Sequence, residues 1–158
     1  MRIQVGTSVI GSATLAMLAF VPVHAQSLDA LIGTWTSRQV VSVRSRSATG
    51  KYEFRRDTVA LQLVVAPDGT VRGTIGGAAL MDGTLRRNRT WIGRALHVKT
   101  DYVIKGRLVG PVIPSDTIAE KKISAPFNLK NGATTGSLFH LVGWDLYPMS
   151  GFELTRVP

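Results

Sequence analysis

The chain has no cysteine. Disulfide bridges, thiol catalysis, thiolate-bound zinc and iron–sulfur clusters are therefore excluded, and packing and backbone hydrogen bonds must hold the fold alone. Acidic residues are few, 10 against 19 lysines and arginines. Histidine is scarcer: beyond residue 25 only His97 and His140 remain, which leaves little material for general acid–base work. No G-x-S-x-G elbow, H-E-x-x-H pair or phosphate-cradling glycine loop occurs. The glycines between Gly73 and Gly77 lie in a strand pattern rather than ahead of a helix. Also missing, after the first 25 residues, is any apolar run near the roughly 20 residues that a spanning helix needs. This inventory leads to the expectation of no cofactor, no metal and no strong catalytic constellation.

The first 25 residues have a character of their own. Arg2 is followed by an uncharged, mostly apolar stretch from Gly6 to Val23, interrupted by Pro22 and ending in Val23-His24-Ala25. A short basic region, an apolar region and compact side chains before a cleavage point are the marks of an export signal. Residues 1–25 are therefore expected to be a signal peptide cut before Gln26, with a periplasmic or secreted destination. Gly11, Ser12, Thr14 and Pro22 dilute the run and argue against a permanent anchor. Taking 25 residues from 158 leaves 133, enough for one domain with its own core, 26–158. Arg2 is the only charged residue removed, so that domain carries +8. Such a balance suits either an anionic surface as partner or simple solubility, and no nucleic-acid partner is expected.

Strand signals dominate the rest. From Thr58 to Ala66, Val59, Leu61, Leu63 and Val65 alternate with their neighbours, as a strand with one buried face requires. Pro67-Asp68-Gly69 then supplies a turn, and Val71, Gly73 and Ile75 resume the alternation. Asp82-Gly83 and Asn131-Gly132 offer two more tight turns. Further strands are predicted from Thr34 to Arg44, Ala79 to Arg86, Trp91 to Lys99, Tyr102 to Val109, Ile123 to Leu129, near Ser137 to Val142 and from Phe152 to Arg156. Pro126 suits only an edge or a bulge. Ser27 to Ile32 suits one helical turn, and Thr117-Ile118-Ala119-Glu120 has capping-box spacing for a short helix in the longest connection, Gly110 to Lys122. The expected fold class is all-β, a single antiparallel barrel or sandwich of about eight strands with one short helical turn before the first.

The opening Leu31-Ile32-Gly33-Thr34-Trp35 carries a resemblance. Gly33-Thr34-Trp35 at the start of the first strand resembles the G-x-W opening of calycin barrels, the lipocalins, lipocalin-like bacterial domains and avidins. In lipocalins that tryptophan crosses the closed end of the barrel under an arginine from near the last strand. Phe152-Glu153-Leu154-Thr155-Arg156 places Arg156 where that partner would arise, so the resemblance implies barrel closure through Gly33, Trp35 and Arg156. The match spans about a sixth of the chain. Thr36 and Ser37 replace the polar biotin contacts that avidins carry after their motif, so biotin binding is not expected.

Three functional readings follow. Leu61, Leu63, Ile104 and Leu108, with Tyr102, would line a barrel interior suited to a small apolar ligand, or else form a solid core. His97, Asp101 and Tyr102 lie close in sequence and are the weak catalytic candidates for a barrel isomerase or hydrolase. Arg86, Arg87, Arg89 and Arg94 form the densest basic run, an anion patch or a charged guard on a hairpin edge. The favoured reading is a non-catalytic exported barrel that binds a small apolar ligand or a partner.

Overall fold

The computed structural model describes residues 28–88 and 100–158. Among these residues eight antiparallel strands follow one another in chain order and close into a barrel. They are β1 (Gly33–Arg46), β2 (Tyr52–Val65), β3 (Thr70–Ile75), β4 (Ala78–Arg87), β5 (Tyr102–Val109), β6 (Glu120–Lys130), β7 (Ala133–Val142) and β8 (Asp145–Arg156). A single 3-10 turn, Leu28–Leu31, precedes β1. The expected signal peptide, the expected strand from Trp91 to Lys99, and Arg89, Arg94 and His97 all lie outside the described residues.

Alternation builds the core. Leu61, Leu63, Val65, Ile104 and Leu108 are buried at alternate strand positions and meet in one apolar cluster. Each such side chain contributes roughly 1.5–3 kcal/mol on leaving water. The ladder closes where β1 meets β8, with Trp35 opposite Arg156 and Thr36 opposite Thr155. One end of the barrel, the Trp35 end, gathers the 3-10 turn and the turns at Pro67-Asp68-Gly69 and Asn131-Gly132. The other, the hairpin end, gathers the β1–β2, β3–β4 and β7–β8 turns and the loop 110–119.

Several local expectations change. Asp82-Gly83 makes no turn; the pair sits inside β4, where Asp82 takes φ 53° and the ladders to β3 and β5 both shift register. A left-handed residue serves a bulge as well as a turn, and here it bends the strand. The β3–β4 turn falls instead at Gly76 and Gly77, and a side chain at Gly76 would collide with the Val112 carbonyl beneath it. The spacing from Thr117 to Glu120 caps no helix, because the Thr117 hydroxyl is engaged by β1 and Glu120 already belongs to β6. Pro126 lies within a closed sheet that offers it no edge. The β6–β7 ladder has no pair at Ala125 and Pro126, and a side chain at Gly136 would strike the Pro126 carbonyl there.

Candidate functional site

At the Trp35 end the expected closure residues meet. Trp35 is buried, and its indole N–H donates to the Leu31 carbonyl at 2.8 Å. The 3-10 turn ahead of β1 thus serves as the indole's acceptor. The Arg156 guanidinium lies against Gly33 and donates to the Ile32 carbonyl at 2.7 Å. Among the described residues the cation–π contacts belong to Arg44, so Arg156 ties the seam through a hydrogen bond to backbone.

Among the described residues the interior is closely packed. Leu61, Leu63 and Ile104 line one void of about 10 Å³ with Ile75, Phe152 and Leu154, and a second void of about 10 Å³ lies beneath Trp35. The first is lined by apolar side chains alone, and the second also by Thr134. A volume of that order admits about one water-sized sphere. Leu108 is fully buried outside both linings. Tyr102 stacks on Phe127 with ring centroids 5.6 Å apart, and burial pushes its hydroxyl above the usual tyrosine range. The Asp101 amide donates to Asn128 and the Asp101 carbonyl accepts from Asn88. The structure thus brings Leu61, Leu63 and Ile104 together and keeps Tyr102 in an aromatic stack. Arg86 and Arg87 are exposed near the Trp35 end of β4, opposite Val103 and Tyr102.

The hairpin end is chemically richer. The loop 110–119 folds across it and buries Val112 and Ile113. Asp116 organises that loop by accepting from the Val112 amide at 3.0 Å, the Ile118 amide at 3.1 Å and the Lys121 ammonium at 2.5 Å. The side chains of Lys121 and Asp116 are both buried. The Ser45 hydroxyl donates to the Ser115 carbonyl at 2.8 Å, and the Arg46 amide donates to the Thr117 hydroxyl at 2.8 Å, which ties the loop to β1. His140 is 6% exposed, and its Nδ1 has no hydrogen-bond partner. Burial holds its pKa below the ordinary value, helped by the nearby Lys121 and Arg44 charges.

Outside this plug lies an aromatic surface. The Arg44 guanidinium sits 3.7 Å from the Tyr52 ring centre and 4.7 Å from that of Tyr147. Phe54 packs at 6.3 Å from Tyr147 and Tyr147 at 6.5 Å from His140, centre to centre. Tyr52 and Phe54 remain 55% and 57% exposed, and Val40, Leu146 and Trp144 are further exposed apolar side chains. Sequence reading missed this cluster, and one signal for its base was present. Lys121 occupies the same strand phase as Ile123, Ala125, Phe127 and Leu129, so a buried lysine was implied once β6 was given its full length.

Compared with models of protein families, with curated proteins and with solved structures, the chain matches none. Among the described residues no helix is long and apolar enough to cross a membrane.

Proposed function

We propose that the chain is an exported, non-catalytic barrel of calycin-like type that binds a protein partner through its outer surface at the hairpin end. One observation carries this reading: the voids described inside the barrel are each only about 10 Å³, whereas Tyr52, Tyr147 and Phe54 gather about Arg44 outside, with Tyr52 and Phe54 more than half exposed. Tyrosine, tryptophan and arginine are the side chains that most often anchor protein interfaces, because each brings a large contact area together with a polar group. Apolar surface left to water at one place marks a contact site. The signal-like residues 1–25 support an extracytoplasmic location. Native mass spectrometry on protein recovered from that compartment tests the reading. The expected mass is that of polypeptide alone or of a protein assembly; a retained small apolar molecule would overturn it and return the function to the barrel interior.

A further inference from the structure

The β1–β2 hairpin outruns the sheet. β1 and β2 pair along their whole length, from Gly33 opposite Val65 to Arg46 opposite Tyr52, but pairing of β2 with β3 begins only at Leu61. Tyr52 to Thr58 therefore have β1 on one side and, among the described residues, no strand on the other, and all seven are exposed. The Gly76 amide donates to the Ala60 carbonyl at 2.9 Å, so the even-numbered residues of β2 turn their backbone groups to that side. Tyr52, Phe54 and Arg56 thus present an amide and a carbonyl at an open edge. The Asp57 carboxylate takes the Thr58 amide at 2.7 Å and ends the run. Open edges of this kind are templates for an added strand.

The side chains along the edge select what is added. Resting on the reading that this end is a contact surface, we infer that the occupant is a second copy of this chain, β2 edge against β2 edge. Two antiparallel strands related by a twofold axis keep the same face up, so the axis must pass through a residue. With the axis at Phe54, Phe54 faces its own copy, and Glu53 faces Arg55, Tyr52 faces Arg56 and Lys51 faces Asp57 of the second copy. Every charged residue meets an opposite charge or an aromatic face. Moving the axis to Arg55 sets Arg55 against itself and Glu53 against Asp57. Moving it to Glu53 sets Glu53 against itself and Lys51 against Arg55. Only the Phe54 register of these three is free of like-charge pairs, and it aligns the amides and carbonyls of Tyr52, Phe54 and Arg56 for a ladder. In a single chain Glu53 and Arg55 already touch each other at 3.3 Å, so the same two groups exchange partners on pairing.

Sedimentation velocity from micromolar to millimolar protein tests this, using the protein from its native compartment and the variants Glu53→Arg, Arg55→Glu and the double exchange. The unaltered protein is expected to show a reversible monomer–dimer equilibrium. Each single reversal turns two attractive pairs repulsive and should weaken the dimer about tenfold; the double exchange should restore it. Thermal melts of all three variants should match the unaltered protein, because both side chains are solvated. A protein that stays monomeric throughout, or a dimer indifferent to the reversals or not rescued by the exchange, overturns the inference. Those results leave the surface reading standing, which only a retained small molecule would remove.

Discussion

At the Trp35 end the β1 and β8 strands are laddered, the turns at Pro67-Asp68-Gly69 and Asn131-Gly132 are short, and the indole and guanidinium of Trp35 and Arg156 spend their donors on the backbone of residues 31 and 32. At the hairpin end the β1–β2 arm runs past its neighbours, and polar side chains do the closing. Asp116, Lys121, Ser45 and Thr117 fasten a loop that carries no regular structure. The two ends teach that one barrel can be closed in two ways. A loop stitched by side chains leaves strand edges and aromatic rings facing water.

The contrast can be broken most forcefully at Asp116. Asp116→Ala removes the acceptor of two amides and strands the buried Lys121 ammonium, so urea unfolding should show a loss of about 3–5 kcal/mol. Replacing both partners by apolar residues of similar size should lose markedly less. At the opposite end Trp35→Phe keeps a ring in place but leaves the Leu31 carbonyl without its donor. About 1–3 kcal/mol is expected from the same measurement.

A smaller effect depends on pH. The pKa of His140 is depressed in the fold, so the native state favours the neutral ring. Its stabilising contribution is full above the ordinary value of 6.5 and is lost as pH falls through the lower native value. Lys121 and Arg44 deepen the depression and Asp116 opposes it. Unfolding free energies measured over that range should therefore decline toward acid, and His140→Leu should flatten that part of the decline. The smallest effect belongs to Trp144, which touches solvent on all sides. Trp144→Ser should leave stability within about 0.5 kcal/mol, while weakening any contact made through the β7–β8 turn.

How much of this was legible in the sequence follows from what each signal reports. Alternation reports burial, and it located β5 to the residue, Tyr102–Val109. It also placed the start of the second strand at Thr58, because Val59 is the first residue of β2 that enters the core. Tyr52 to Asp57 are strand by pairing with β1 alone, which no buried face announces. Turn chemistry reports backbone conformation, and it gave Pro67-Asp68-Gly69 and Asn131-Gly132 correctly. It misplaced Asp82-Gly83 because a bulge asks for the same left-handed residue. The tie of Ser45 to Ser115 and Thr117 depends on contacts about 70 residues apart in sequence, and local spacing carries no trace of those.

The most direct measurement is amide hydrogen exchange along β2, which passes from an open edge to a laddered interior within one strand. In dilute protein the Tyr52, Phe54 and Arg56 amides should exchange quickly while those of Gln62 and Val64, opposite β3, are slow. As concentration rises, the three fast amides should become protected. Equal, concentration-independent protection along the whole strand would contradict both the open edge and the contact surface built on it.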